Sequence, residues 1–145
     1  MNADLASYYA RRARDYERVY DKPERQPALR ALHERCRAFF AGRNVLEVSC
    51  GTGYWTSTIA GSARTIVGTD INDEVLAIAR GKAWPAGTVA FQRADAYALP
   101  MFSQPFDAGF AGFWWSHVPR RQLRAFLEGF HAALTTGARV MFIDN

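Results

Sequence analysis

The sequence predicts an α/β chain: a doubly wound, mostly parallel sheet of about five strands, preceded by N-terminal helices. Three observations predict it. Short apolar strands alternate with amphipathic helices from Asn44 onward. The strands are nearly uniform in their apolarity, as strands covered on both faces are. The first strand hands over through a glycine-rich turn to a helix, and an acid ends the second strand. A chain of 145 residues that is 49% hydrophobic and 22% charged has room for one compact domain.

The elements follow in order. Leu5, Tyr8, Tyr9, Tyr16, Val19 and Tyr20 mostly keep three- and four-residue steps, which predicts an amphipathic helix with a tyrosine-rich buried stripe, ended by Asp21-Lys22-Pro23. A second helix over residues 24–40 carries Leu29, Leu32, Cys36 and Phe39/Phe40 on one face and stops at Gly42. Residues 1–43 therefore read as a helical extension or lid, and residues 44–145 as the core.

Within that core the strands are expected at 44–48, 65–69, 88–93, 106–113 and 138–143. One helix ends at Ala60-Gly61. The next is N-capped by Asn72, with Asp73 and Glu74 in its first turn, where the helix dipole favours anions. The last, over 120–134, turns Leu123, Phe126, Leu127, Phe130 and Leu134 inward. Helix is least evident over 94–105. Right-handed crossovers then place a ligand beyond the C-terminal strand ends, where the strand order reverses.

Composition excludes several classes. No apolar run approaches a membrane span, and the N-terminus lacks the apolar core of a signal peptide, so a cytoplasmic protein with no membrane partner is expected. Cys36 and Cys50 lack metal-site spacing, so neither zinc nor a disulfide is expected. The net charge of +4 resides in residues 1–43, with ten Lys/Arg against six Asp/Glu. A basic arm can steer a nucleic acid, but the acids interleaved here describe a solvated helix face.

The chemistry sits in Leu46-Glu47-Val48-Ser49-Cys50-Gly51-Thr52-Gly53-Tyr54-Trp55, with Asp70 seventeen positions after Gly53. Gly51 and Gly53 let the backbone turn sharply and a ligand approach closely. An acid at the tip of strand two suits a ribose diol. Thr56 stands where a dinucleotide fingerprint needs its third glycine, which disfavours pyrophosphate. Glu47 either binds a ligand or orients the loop.

This segment resembles motif I of class I S-adenosylmethionine (SAM)-dependent methyltransferases, an acid and a spacer followed by glycines at alternate positions. Glu47 matches the acid, and Ser49 replaces the first glycine. Asp70-Ile71 is similar to the family's ribose-binding acid and its neighbour, and Asp95-Ala96 to the adenine-contacting pair. Phe106-Asp107 followed by GFAGFWWSHVP is similar to the fourth motif, so that Gly112 and Phe113 would line the methionine moiety. LTTGARVMFIDN is similar to the family's last turn and fifth strand, with Thr136 and Ala138 in place of proline and glycine. The likeness covers nearly all of the chain from Asn44.

The resemblance implies a Rossmann-like core that binds SAM and yields S-adenosylhomocysteine (SAH), with Tyr16, Tyr54 and Trp55 also at the cofactor. The sulfonium is already an activated electrophile, so the protein mainly aligns a nucleophile and excludes water. On the substrate side the candidates are Tyr8, Tyr9, Arg12, Trp114 and Trp115, with His117 as the candidate base. Against these stand ordinary readings: the tyrosines and tryptophans pack, His117 caps a helix, and Asp107 holds the start of strand four.

A small-molecule methyltransferase is expected, because no Asp/Asn-Pro-Pro-aromatic signature follows strand four. The alternatives are a non-catalytic SAM-binding module and, less favoured, a nucleic-acid methyltransferase. The family's sheet normally continues past strand five, so the chain is expected to be truncated there, leaving Val140-Met141-Phe142-Ile143 as an apolar edge. A homodimer through strand five or an exchanged N-terminal helix would cover it.

Overall fold

The computed structural model describes residues 3–145, so Met1 and Asn2 of the expected extension lie outside the described residues. Helix α1 (Ala3–Glu17) ends in a 3-10 turn (Arg18–Tyr20), and a second such turn (Pro23–Arg25) leads into α2 (Gln26–Phe40). Proline in the first turn of α2 needs no backbone donor there. The core then runs β1 (Asn44–Val48), α3 (Tyr54–Ala60), β2 (Thr65–Asp70), α4 (Asp73–Arg80), β3 (Val89–Arg93), β4 (Phe106–Gly112), α5 (Arg120–Ala132) and β5 (Leu134–Ile143). The strand order is β3-β2-β1-β4-β5, and every pairing is parallel. This is the doubly wound, Rossmann-like sheet that the alternation predicts.

Helices cover both faces. Leu29, Cys36 and Phe40 of α2, with Trp55 and Ile59 of α3, pack on Val45, Ile66, Ala108, Phe110 and Ile143. On the other face Phe126 and Phe130 of α5 pack on Leu46, Val48, Phe106 and Ala111. Consecutive strand residues point to opposite faces, so β1 supplies both clusters, and its near-continuous apolarity follows. Asn72 caps α4, its side chain accepting from the amides of Glu74 and Val75.

Several expectations are corrected. The tyrosine-rich stripe is buried only in part: Tyr8 and Tyr16 are 43% and 41% exposed and Leu5 and Val19 are also exposed, whereas Tyr9 is half-buried and Tyr20 packs against the core. α1 lies beside α4 instead of over the sheet, so periodicity marked a helix whose stripe has little core to face. Leu127 is exposed on α5. The strand expected at 138–143 begins at Leu134, where Phe106 pairs with Leu134 and Ala108 with Arg139. Thr135, Thr136 and Gly137, read as a turn, form an irregularity inside the strand, with Gly137 at φ +76°. Residues 94–105 carry no helix. β5 pairs with β4 alone among the described residues, so its outer edge is free.

Candidate functional site

β1 lies between β2 and β4, so the chain leaves the C-terminal ends of β1 and β4 in opposite directions and opens a crevice. Residues 49–53 form its floor. Ser49, Gly51 and Gly53 take left-handed backbone with φ of +58°, +55° and +86°, which glycine adopts freely and L-residues adopt at a cost of about 1–2 kcal/mol. A Cβ on Gly53 would also meet the Trp84 ring at 3.1 Å. Ser49 thus tolerates the conformation of the glycine it replaces.

The loop is pinned to β2. The Cys50 amide donates to the Thr69 carbonyl at 2.9 Å, and the Gly51 amide to Asp70 Oδ2 at 2.9 Å. Asp70 Oδ1 accepts from the Asn72 amide at 3.0 Å. Each carboxylate oxygen keeps a lone pair free for a second donor. The Asp70 carbonyl takes the Ala94 amide at 3.0 Å, which brings Asp95 and Ala96 alongside. Asp95 is exposed and accepts from the Tyr97 amide at 2.9 Å, closing its own turn. Ile71 is 53% exposed, an apolar surface beside the acid.

A cavity of about 160 Å³ lies between this loop and the end of α1, lined by Tyr16, Glu17, Tyr20, Glu47, Ser49, Cys50, Gly51, Thr52, Tyr54, Trp55, Val75 and Gly112. Five of the sequence-predicted cofactor residues, Glu47, Ser49, Gly51, Tyr54 and Trp55, are therefore joined by Tyr16 and Gly112 in one space. Glu47 is 2% exposed, and its Oε1 accepts a short hydrogen bond from the Thr56 hydroxyl. Burial is the main cause that pushes the Glu47 carboxyl up to about 8; the Thr56 bond opposes it and Asp70 adds to it. Tyr20 stacks on Tyr54 with centroids 3.7 Å apart, and its hydroxyl accepts from Trp55 Nε1 at 3.2 Å.

The remaining candidates are dispersed. Tyr8 and Tyr9 meet edge to face at 5.4 Å on α1, outside the cavity lining. Arg12 Nε donates to Glu74 Oε1 of α4 at 3.0 Å, and the guanidinium lies 5.0 Å from the Tyr16 ring centroid. Phe113, just past β4, holds φ +55° and donates its amide to the Ile143 carbonyl at 2.7 Å. Trp114 packs between Tyr97 and Phe126, with its indole N–H buried and unpartnered among the described residues. Trp115 lies against Phe142. His117 is exposed in the 3-10 turn Trp115–His117; the N-cap of α5 is Pro119, so His117 does not cap it. Asp107 accepts from the Asn44 amide at 2.7 Å, tying β4 to β1.

A methyltransferase-domain model matches residues 45–137. The chain belongs to the class I SAM-dependent methyltransferase family. It is 35% identical over 107 residues to the O-methyltransferase cnsE of Penicillium expansum, covering 71% of this chain and 38% of that one. A demethylmenaquinone methyltransferase of Shouchella clausii is 34% identical over 84 residues, covering 54% and 36%. Among solved structures, DhpI in complex with SAH superposes with a TM-score of 0.76 at 34% identity, covering 96% of this chain and 66% of that chain. A DhpI complex with SAM and HEP gives 0.74 at 34% identity. The chain spans about two fifths of the length of the curated relatives it matches.

Two side chains of this family member that sequence reasoning passed over stand at the cavity. Glu17 Oε1 accepts from the Thr52 hydroxyl at 2.9 Å and forms a short ion pair with Lys82. Together with Arg12–Glu74 this clasps α1 to α4 and to the glycine loop. Glu17 looked like one acid of a solvated helix face, and no local signal links it to Thr52, 35 residues on. Tyr20 was visible only as an apolar position of the helical stripe.

Proposed function

We propose that this chain binds SAM at the crevice and that the protein transfers its methyl group to a small molecule. The observation that carries this is the Gly51 amide bonded to Asp70, which fixes two acceptor oxygens beside the glycine loop. The residues suit the cofactor: Asp70 and Ile71 for the ribose, Asp95 and Ala96 for the adenine, and Glu47, Ser49, Gly51, Gly53, Tyr54, Trp55, Gly112, Phe113 and Tyr16 for the methionine end. A buried carboxyl, aromatic rings and an absence of bases among the cavity-lining residues favour a cationic ligand there. The cavity is smaller than the roughly 300–1,000 Å³ of most ligand pockets, so Tyr16 and Glu17 on α1 shift when the cofactor enters. Residues 1–43 then act as the lid and 44–145 as the core.

SAM supplies an activated methyl group, and the chain's own part is to orient, exclude water and hold the acceptor. His117 is exposed beside the end of β4, where it can take the acceptor's proton. Trp114, Trp115 and the α1 side chains Tyr8, Tyr9 and Arg12 are the residues proposed for the acceptor's side. The relatives' names, an O-methyltransferase in one case and a demethylmenaquinone methyltransferase in another, support a small organic molecule in preference to a nucleic acid. A reducing, cytoplasmic setting belongs to the same reading, supported by the free core thiols Cys36 and Cys50. So does pairing of two copies along the free β5 edge or by exchange of α1.

A crystal structure with SAH tests the assignment. The ribose is expected on Asp70 and the amino-acid end in the cavity beside Glu47. A nucleoside bound elsewhere would overturn it.

A further inference from the structure

Among the described residues, Glu47 is the one carboxyl that is almost wholly buried and yet opens onto the ligand cavity. Its single side-chain partner is the Thr56 hydroxyl at Oε1, and Oε2 accepts no hydrogen bond among the described residues. The titratable groups facing it are acids on every side: Asp70 from β2, Cys36 from α2, Cys50 from the glycine loop and Tyr20 from the turn after α1. Glu17 is a further acid on the cavity wall. No lysine, arginine or histidine is among the residues lining the cavity, and Lys82 is held by Glu17. A carboxylate so placed has no counter-ion of its own.

We propose that Glu47 is a neutral carboxylic acid in the ligand-free protein and becomes the cofactor's counter-ion, releasing its proton to solvent when a cationic group of SAM enters the cavity. This rests on the reading of the cavity as the cofactor's amino-acid end. The balance is simple: the O–H bond of Glu47 breaks, its electron pair stays on the carboxylate, and the proton passes to buffer. Burial holds the ligand-free carboxyl near the neutral range, and an adjacent positive charge moves it back down. Two groups of SAM can act, the sulfonium and the α-ammonium, whereas SAH carries only the ammonium. Glu47 then ties affinity for the cofactor to pH, and it distinguishes methylated from spent cofactor to the extent that the sulfonium is its partner.

Titration calorimetry in two buffers of different ionisation enthalpy reads the proton directly. At pH 7 the chain is expected to release close to one proton per SAM bound, and SAM affinity to rise by up to about tenfold per pH unit below 8. Glu47→Gln, checked for folding by circular dichroism, is expected to lose that component; titration of the cofactor's own ammonium is common to both proteins and cancels in the difference. Thr56→Val, which removes the carboxyl's one donor, should move the midpoint of release to higher pH. Equal release with SAH assigns the ammonium, and release with SAM alone assigns the sulfonium; each supports the proposal. SAM binding with the same proton count in wild type and Glu47→Gln would overturn it and leave the cofactor site standing. No SAM binding at any pH would overturn the site itself.

Discussion

Ser49 carries a strain that can be measured. It stands at φ +58° in a loop whose other two left-handed positions are glycines, so Ser49→Gly should raise stability by up to about 1 kcal/mol, the relief offset in part by the glycine's unfolded-state entropy. Urea unfolding checks it. Gly53→Ala should act oppositely, by about 1–3 kcal/mol, since the new Cβ meets both a positive φ and the Trp84 ring. Glu47 predicts a pH dependence. Its carboxyl lies at about 8 when folded against 4.5 for the free group, so between those values the folded state holds the extra proton. Ligand-free stability should therefore be greatest below about pH 5 as far as Glu47 is concerned and decline towards pH 8, by up to about 1.4 kcal/mol per pH unit. Thermal melts of wild type against Glu47→Gln test this, and parallel profiles would refute it. Motif I was legible as residues, because glycines at alternate positions leave few other backbones open. What sequence did not show was the field around Glu47, which comes from α2, β2 and the turn after α1.

Among the elements, α4 and α5 separate local signals from tertiary ones. Asn72 was readable as a cap, and the two amides it accepts bear that out; Asn72→Ala should cost about 1 kcal/mol in chemical unfolding. On α5 the pattern placed Phe126, Phe130 and Leu127 together, yet only the phenylalanines are buried. Phe130→Ala should destabilise by about 3–5 kcal/mol, while Leu127→Ser should leave stability within about 0.5 kcal/mol. The start of β5 was not legible, because Thr-Thr-Gly carries turn chemistry and only pairing with β4 recruits it into a strand. α1 posed a different problem. Its period marks a helix correctly, but its docking relies on Arg12–Glu74 and on Glu17 with Thr52 and Lys82, contacts that no periodicity encodes.

At the level of the whole molecule, a parallel sheet with its crevice at the switch point was foreseeable from the alternation and the nearly uniform strands, since right-handed crossovers admit few other arrangements. The free β5 edge has exposed Val140 and Phe142, and light scattering at micromolar concentration should report two copies; a monomer would remove that pairing. Binding of SAM is the account's centre, and Asp70 is where it is most exposed to test. Asp70→Asn keeps the side chain's shape and an acceptor for the Gly51 amide while removing one acceptor oxygen and the charge. Equilibrium binding of SAM is expected to be saturable for the wild type and at least about tenfold weaker for Asp70→Asn, a loss of about 1.4 kcal/mol or more. Unchanged affinity in a folded variant would contradict the assignment of the crevice.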